Sequence, residues 1–552
     1  MSPERPGSRD GLFNDLAYGS DRDAYIDDLG QACARNAALG CDDGFVRQVI
    51  HTRANYLRVQ ELFGQAVPFR LPRLYHGDML LGYDWWGTPV WLRSKTLCSG
   101  LLHASTTGGG KTGHLTFLAP QIPLCHAQTW LFEMHKTQLR HLRPVFRALS
   151  KDLVVLQAKH LKLNPLHPGR RDPTRHLTTC VDLLNRILDV GERGQAILWQ
   201  SGYALYDKFG VWTRRSGEAP CLHDLYEYIR ETTGLNAAAR EAILDRLGAL
   251  LSFGRCFAYR VGWDPVELEK FSVVFEMRGT TEHAARMVIE PFLYAVFQDA
   301  YNRGAVNAPL SLVIVVEDGL RLFADSNSSA TKLTPLDEAL AATRGSGKTV
   351  WPIVQGVNSV SRPLISNLNT KIMGLMGSHD DYQLLGADMR LSPEQLLWAK
   401  RNLQPGIFVA QINQGDWREP FVLRVPELKL STRVDDDEAA RSATALDSLP
   451  TVPAKEYEHW KPHHLIEVTT ATPSTMPPLT EVELRYLRLV VAEPAKPSSY
   501  YAKKGSLNGA AAAAVRVKLV TLGFLREHSV ATGRRGRTSI VLEPLDKARE
   551  VI

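Results

Sequence analysis

The stretch STTGGGKT, residues 105–112, decides the fold. It follows an apolar segment (SGLLHA, 99–104) and precedes a helical pattern (GHLTFLA, 113–119). A glycine-rich loop between a strand and a helix binds phosphate, because backbone N–H groups and the helix N-terminus face the anion. We therefore predict that Lys111 reaches the β- and γ-phosphates of a nucleotide and that the Thr112 hydroxyl binds Mg²⁺. The predicted nucleotide-binding residues are Thr107, Gly108, Gly109, Gly110, Lys111, Thr112 and Gly113.

A second stretch, ATRGSGKT (342–349), matches the stricter form of the same motif. Its context is reversed, because a helical pattern (PLDEALAA) precedes it and a strand-like segment (VWPIVQ) follows it. A phosphate-binding loop works only between a strand and a following helix. We reject 342–349 as the phosphate loop and accept 105–112, although Ser105 stands where a glycine is usual.

An acidic pair ends the best candidate for a buried strand. Leu312 to Val316 are five apolar residues, and Glu317 and Asp318 follow them. A nucleotide hydrolase needs one carboxylate for Mg²⁺ and one to activate water. We assign the metal role to Glu317 and the water-activating role to Asp318. The usual order is Asp then Glu, and the inversion predicts slower hydrolysis, because a misplacement of ~1 Å can cost ~100-fold in rate.

Composition limits the class of protein. The 552 residues are 44% hydrophobic and 22% charged, which is a globular composition. The net charge of +6 excludes a uniformly basic coat but not a local basic patch. The seven scattered cysteines show no zinc-ligand spacing, and their odd number argues against a disulfide framework. Without an apolar run of ~18 residues or a signal-peptide core, the chain is expected to be soluble and cytoplasmic.

Apolar, β-branched runs alternate with helical patterns from about 95 to 430, which predicts an α/β fold with a parallel sheet. The predicted strands are 129–134, 153–158, 271–277, 310–318, 349–355 and 406–412. An amphipathic helical stretch at about 174–260 predicts a helical insertion. We further expect a small N-terminal α+β module at 1–92, a motor domain at 93–430, a Pro/Thr-rich linker at 431–478 and a last domain at 479–552.

The order of these motifs resembles the FtsK/HerA class of ring ATPases, including the coupling proteins of conjugative type IV secretion. The matching segments are WLFEMHKTQL (130–139), NPLHP (164–168), FSVVFEMRG (271–279), VIVVEDGLRLF (313–323) and RGSGKTVWPIVQGVNSVSRP (344–363). The resemblance implies a RecA-like P-loop ATPase domain, ATP and Mg²⁺ as cofactors, a homo-hexameric ring and double-stranded DNA as partner. The chain lacks the N-terminal membrane helices of coupling proteins, and its first 92 residues show no clear β-barrel of the HerA kind.

The same resemblance assigns roles to single residues. Gln355 falls on the family's sensor position, where a side-chain amide can detect the γ-phosphate or the attacking water. Lys371, in NTKIMG, stands where the family has an arginine proposed to reach the nucleotide of the neighbouring subunit. A lysine lacks the planar fork of arginine and is a poorer finger. Arg344 and Arg362 are alternative trans-acting cations.

The last 72 residues predict three helices and a hairpin with a basic tip, the outline of a winged helix-turn-helix. Residues 481–552 carry thirteen Lys and Arg against seven Asp and Glu, so the entire net charge of the chain lies there. A recognition helix enters the major groove, and wing arginines reach phosphates or a minor groove. The candidate DNA-binding residues are Lys503, Lys504, Arg516, Lys518, Arg534, Arg535 and Arg537.

Two functions follow from these observations. The first is an ATP-dependent DNA translocase or DNA-pumping motor, with Glu317, Asp318 and Gln355 as catalytic residues. The alternative is a nucleotide-loaded, weakly hydrolysing DNA-binding scaffold that assembles a partner effector, for example a nuclease in repair or phage defence. The departures at Ser105, at Glu317-Asp318 and at Lys371 motivate the alternative.

Overall fold

The fold is taken from a computed structural model of the chain. It describes residues 22–41, 44, 48, 67–70, 72, 74, 76–214, 217–252, 254–305, 307–318, 345–358, 360–412, 417–430, 432–461, 479–521, 524–531, 538–545 and 548. The chain divides into two compact units, Met1–Pro462 and His463–Ile552. Each unit is described by itself.

The first unit is built on an eleven-stranded sheet with the strand order β2-β1-β12-β11-β10-β3-β9-β8-β4-β7-β5. Its strands are β1 (Met79–Asp84), β2 (Pro89–Leu92), β3 (Leu101–Ala104), β4 (Gln128–Glu133), β5 (Val154–Gln157), β7 (Val273–Glu276), β8 (Leu312–Glu317), β9 (Lys348–Val354), β10 (Thr370–Met373), β11 (Ile407–Ile412) and β12 (Phe421–Arg424). A short strand, β6 (Tyr259–Val261), lies outside this sheet and pairs with β13 (Val452–Pro453).

The seven strands from β10 to β5 in that order are all parallel. All six residues of strand β8 (LVIVVE) are buried, as expected for a parallel sheet that is covered on both faces. The α/β prediction with a large parallel sheet is confirmed, and each of the six predicted strands is present. The four remaining strands form an antiparallel edge.

Helices connect the strands of the first unit. They are α1 (Arg22–Leu39), α2 (Ser94–Leu97), α3 (Lys111–Leu118), α4 (Arg143–Ala148), α5 (Pro173–Leu188), α6 (Gly191–Lys208), α7 (Leu222–Glu231), α8 (Ala237–Leu251), α9 (Pro265–Leu268), α10 (Glu282–Asn302), α11 (Arg362–Asn367), α12 (His379–Asp388), α13 (Pro393–Asn402) and α14 (Asp436–Ala443). Helices α5 to α8 lie between β5 and β6 in the chain, in the stretch expected to hold a helical insertion. No helix in the described part of the chain is long and apolar enough to cross a membrane.

The expected boundary at residue 92 needs correction. Strands β1 and β2 pair with each other, and β1 also pairs with β12, so both belong to the same sheet as the phosphate loop. All ten of their residues are buried. Strands β1 and β2 are therefore the edge of the eleven-stranded sheet and not part of a separate module, because their backbone hydrogen bonds are made with that sheet.

The predicted linker at 431–478 is wrong for residues 432–461, which we call the strap. The acidic run DDDE begins helix α14, and Asp435 caps this helix by accepting from the Glu438 N–H. Helix α14 packs beside the edge strand β5, where the Ser442 hydroxyl accepts a hydrogen bond of 2.9 Å from the Val155 N–H. The acidic residues make ion pairs, including Asp436 with Arg140 at 2.6 Å. These ion pairs with the rest of the first unit make the acidic run a packed element, and composition alone does not reveal them.

The strap continues over the helical insertion. Its strand β13 pairs with β6. Tyr457 then donates to Asp224 of α7 at 2.8 Å, and Trp460 donates to Glu227 at 2.7 Å. The ring of His223 stacks on Tyr457, with centroids 5.1 Å apart. Residues 462–478 of the expected linker lie outside the described residues.

The second unit contains helices and a three-stranded sheet around its own core. The elements are α15 (Glu481–Ala492), β14 (Lys496–Pro497), α16 (Ser498–Lys504), α17 (Gly509–Thr521), β15 (Leu525–Ala531) and β16 (Thr538–Pro544). Thr480 and Glu483 cap α15 reciprocally, as a capping box does. Buried Tyr486, Leu487, Tyr501, Leu519 and Leu542 form the centre of the core.

Candidate nucleotide site

The loop 105–110 joins the carboxyl end of β3 to the start of α3 at Lys111. Gly108 and Gly110 adopt φ values of 77° and 90°, a left-handed conformation that glycine adopts without strain. The loop is anchored on both sides, because Ser105 N–H donates to Val354 of β9 at 3.1 Å and Thr106 N–H donates to Leu375 at 2.6 Å. The N-terminus of α3 therefore opens at the carboxyl edge of the parallel sheet, where ligands of α/β folds bind.

Ser105, which departs from the usual glycine, has a specific place in this loop. Its side chain is buried, and its hydroxyl lies 3.1 Å from the carbonyl of Leu375 and 3.3 Å from that of Gly109. A Cβ at Gly109 would lie 2.0 Å from the Ser105 Oγ, and one at Gly374 would lie 2.6 Å from it. Two neighbouring glycines thus make room for the serine, so the departure is compatible with a closed loop.

The Lys111 side chain folds back onto the loop. Its Nζ donates to the carbonyl of Ser105 at 2.6 Å and to that of Thr106 at 3.1 Å. Burial lowers the pKa of Lys111, while the nearby carboxylates of Asp318 and Glu317 act in the opposite direction. A lysine held at the mouth of a glycine loop by backbone carbonyls is available to exchange these contacts for phosphate oxygens.

The predicted metal ligands lie together. The Thr112 hydroxyl donates to Oε1 of Glu317, which ends β8 one strand beyond β9. Burial raises the pKa of Glu317, and the hydrogen bond from Thr112 opposes this shift. Oε2 of Glu317 is buried and has no hydrogen-bond partner among the residues that the structure describes. An orphaned carboxylate oxygen beside a threonine hydroxyl is suited to Mg²⁺, which prefers oxygen ligands.

Asp318 and Gln355 also come together, as their assigned roles require. The Gln355 side chain follows β9 and donates from Nε2 to Oδ1 of Asp318 at 3.2 Å. Asp318 has a positive φ of 55°, a conformation that aspartate tolerates better than most residues, and its N–H donates to Ile353 at 2.9 Å. Two side chains that follow different strands, β8 and β9, are thus within hydrogen-bonding distance of each other.

The rejected motif at 342–349 does not form a phosphate loop in its described part. Strand β9 begins at Lys348, which is buried and forms an ion pair with Glu269. A strand and not a helix follows the motif directly, so no helix N-terminus stands at this loop to receive an anion.

Glu133 and Lys136 belong to the site but were not among the predicted site residues. Glu133 ends β4 and lies in register with Glu317 of β8 and with Glu276 of β7. Burial raises the pKa of Glu133 to about 7, although it accepts hydrogen bonds from the N–H groups of Gln138 and Leu139. Lys136 Nζ is 4.0 Å from Oε1 of Glu317. The resemblance of WLFEMHKTQL to the family's strand rests on an acidic residue with a nearby lysine, and this was the available signal. Neither residue was assigned a role, because the sequence does not reveal which strands lie side by side.

The trans-acting candidates are placed differently. Lys371 lies inside β10, is 3% exposed and pairs with Asp388 at 2.5 Å, which counts against its reaching a neighbouring subunit. The sequence match to the family's arginine did not reveal the partner of Lys371, because Asp388 belongs to a different element, helix α12. Arg362 is exposed at the first turn of α11, after the N-cap residue Ser361. Arg344 lies outside the described residues.

Three of the candidate DNA-binding residues make ion pairs within the second unit. Lys504 pairs with Glu493, Lys518 with Glu483 at 2.7 Å, and Arg516 with Glu527 at 3.6 Å. Lys503 is exposed on α16. Arg534, Arg535 and Arg537 lie outside the described residues.

The NPLHP segment lies far along the sheet from the phosphate loop. The Asn164 amide donates to the carbonyl of Arg260 at 2.9 Å and its oxygen accepts from the Leu166 N–H, so it fixes the turn after β5. Three residues of the segment line a cavity of about 600 Å³ together with Trp263 and residues of α5 and α10. No phosphate-loop residue lines this cavity.

Comparison with known proteins gives a likeness in structure only. No family model matches the chain, and no curated protein matches it. It is similar to VirB4 of Thermoanaerobacter pseudethanolicus (16% identity, 66% of this chain and 98% of that chain, TM-score 0.46). It is also similar to the bacterial conjugative coupling protein TrwBdeltaN70 (14% identity, 66% and 95%, TM-score 0.46), a protein also solved with ADP and Mg²⁺. A third structure, the genome packaging NTPase B204 from Sulfolobus turreted icosahedral virus 2, aligns at 11% identity over 59% of this chain and 98% of that chain (TM-score 0.28). The resemblance predicted from the sequence includes conjugative coupling proteins, and one of these similar solved structures is such a protein.

Proposed function

We propose that this chain is an ATP- and Mg²⁺-dependent motor of the FtsK/HerA class that moves double-stranded DNA as a homo-hexameric ring in the cytoplasm. The observation that carries the proposal is the convergence of the phosphate loop, Glu317 and the Asp318–Gln355 pair at one edge of a parallel sheet. These groups come from three different strands, so their proximity is not a consequence of sequence adjacency.

Each residue has a task in this proposal. The loop glycines admit the phosphates, and Lys111 neutralises their charge at the start of α3. Thr112 and Glu317 would hold Mg²⁺, which when bound supplies charge neutralisation at the phosphate oxygens. Asp318 accepts a proton from the attacking water, and the Gln355 amide orients that water. The second unit, as a winged helix, would hold DNA through Lys503 and the hairpin arginines.

The experiment is ATP hydrolysis measured with and without duplex DNA in the presence of Mg²⁺. The wild-type chain is expected to hydrolyse ATP faster with DNA. Lys111→Ala is expected to lose hydrolysis by two to three orders of magnitude, because roughly 3–4 kcal/mol of charge stabilisation is removed. If the wild-type chain hydrolysed no ATP, with or without duplex DNA, the proposal of a motor would be contradicted.

The second candidate is a nucleotide-loaded scaffold with slow or no turnover. The buried Lys371–Asp388 pair favours it, because the residue aligned with the family's arginine is already neutralised within its own chain. Nucleotide binding and ring formation without turnover, unchanged by Asp318→Asn, would select the scaffold. Hydrolysis that depends on Asp318 would reject it.

A further inference from the structure

A second cation, Lys136, stands at the far side of the nucleotide site. It lies in the turn after β4, and its side chain is 39% exposed, so a ligand can reach it. Its Nζ is 4.0 Å from Oε1 of Glu317. It is also close enough to Lys111 for its charge to lower the pKa of that residue. Lys136 therefore shares the electrostatic environment of the phosphate loop, although it belongs to another strand.

The turn that carries Lys136 is held by Glu133. One carboxylate oxygen accepts the Gln138 N–H at 2.7 Å, and the other accepts the Leu139 N–H at 3.2 Å. Both bonds close the chain back onto the end of β4, with Lys136 between their two ends. A buried carboxylate with both oxygens engaged in this way is unavailable to activate water, and it acts as a clamp on the turn.

The strand order decides which phosphate Lys136 can reach. Along the carboxyl edge the order is β3, β9, β8, β4. With strands ~4.8 Å apart, β4 is ~14 Å from the strand that carries the phosphate loop but adjacent to β8 and Glu317. A phosphate loop cradles the α- and β-phosphates of a nucleotide with its backbone N–H groups. We therefore expect the terminal phosphate of a bound nucleotide to be the one that extends toward β8 and β4.

The negative charges at the site, two carboxylates and the phosphates of a nucleotide, exceed the single positive charge of Lys111. Glu317 and Asp318 place two carboxylates beside the phosphate position, and Lys111 is the lysine of the loop itself. Lys371 is paired with Asp388 and buried. Among the described residues, Lys136 supplies a second positive charge at the site, with its Nζ 4.0 Å from Glu317 Oε1.

We propose that Lys136, held in place by the Glu133 clamp, binds the terminal phosphate of ATP from within the same subunit and so distinguishes ATP from ADP. This inference rests on the proposed nucleotide site and adds a residue to it. It assigns Glu133 a positioning role and Lys136 a direct contact.

The test is the affinity of the full-length chain for ADP and for a non-hydrolysable ATP analogue, both with Mg²⁺, by calorimetry. Lys136→Ala is expected to weaken binding of the analogue about 10- to 100-fold, the effect of losing a charge-assisted contact, and to leave ADP affinity within about 2-fold. Lys136→Arg should restore most of the preference. Glu133→Ala should reduce the same preference, and Glu133→Gln, which keeps one acceptor, should reduce it less.

Two controls separate this inference from the proposed function. Lys151→Ala removes an exposed lysine that precedes the amino end of β5, whereas the nucleotide site lies at the carboxyl ends of the strands. This variant should change neither affinity. Lys111→Ala should weaken both nucleotides. If Lys136→Ala changes both affinities equally, or neither, while Lys111→Ala weakens both, the inference is overturned and the nucleotide site stands. If the wild-type chain binds neither nucleotide, the proposed function fails and the inference with it.

Discussion

At the scale of single residues, the phosphate loop depends on the contact between Ser105 and Gly109. The Ser105 side chain occupies the space that a Cβ at position 109 would need, with 2.0 Å between the two atoms. Gly109 does not have a positive φ, so an alanine there would not be strained by its backbone conformation. It would be limited by the Ser105 side chain and, less severely, by the Thr106 carbonyl oxygen at 3.1 Å. Serine at the first position and glycine at the fifth are thus a matched pair.

Gly109→Ala is therefore expected to weaken nucleotide binding about 10- to 100-fold, because overpacking costs about 1–3 kcal/mol. The double variant Ser105→Gly with Gly109→Ala should recover much of the affinity, since the clashing hydroxymethyl group is gone. Calorimetric titration with ADP and Mg²⁺ measures both. Equal affinities for the single and the double variant would show that the contact is unimportant.

At the scale of elements, the strap covers an edge that would otherwise be exposed. Strand β5 is the last in the sheet, and an edge strand has backbone groups without a neighbouring strand. Helix α14 covers it, and the Ser442 hydroxyl provides an acceptor for the buried Val155 N–H. The acidic residues at the start of α14 also favour the positive end of the helix dipole, so local and tertiary preferences agree.

Removing this acceptor should destabilise the first unit. Ser442→Ala leaves the Val155 N–H buried without a partner, which is expected to lower the free energy of unfolding by about 1–3 kcal/mol. Thr444→Ala is the matched control, because its hydroxyl donates to the Arg441 carbonyl of the preceding helix at an exposed position, with an expected effect under about 0.5 kcal/mol. Denaturant unfolding measures both. Equal losses for the two variants would contradict the edge-covering role of Ser442.

At the scale of the whole molecule, the chain has separate cores in its two compact units. Ile314 is fully buried on strand β8 of the eleven-stranded sheet. Leu487 is fully buried in the core of the second unit. The hydrophobic cluster around Leu487 contains residues of the second unit only.

Truncating a buried side chain should therefore lower the stability of only the unit that contains it. Leu487→Ala is expected to lower the stability of the second unit by about 2–5 kcal/mol, the usual range for a buried leucine, and to leave ADP affinity unchanged. Ile314→Ala should have the complementary effect on the unit that holds the phosphate loop. Scanning calorimetry of the full-length chain checks this. A single transition that both variants shift by the same amount would show that the units unfold together.

Local sequence patterns were sufficient to predict many of the strands and the phosphate loop. The six strands, the loop at 105–112 and the rejection of 342–349 all follow from hydrophobic runs and from the order of strand, loop and helix. These features depend on neighbours within a few residues, so periodicity and turn chemistry carry them. The same local logic placed Glu317 at the end of a buried strand and Gln355 at the end of another.

The remaining features depend on which strands lie side by side and which charges meet. The sequence by itself determined an α/β chain with a phosphate loop, an acidic strand end and a basic last segment. Only the tertiary structure decided that Glu133 and Lys136 face Glu317, that Lys371 is neutralised by Asp388, and that the acidic run at 435–438 is a packed helix. These facts join residues from different strands and helices, and the physical reason is that hydrogen bonds and ion pairs between distant segments leave no periodic trace in the sequence.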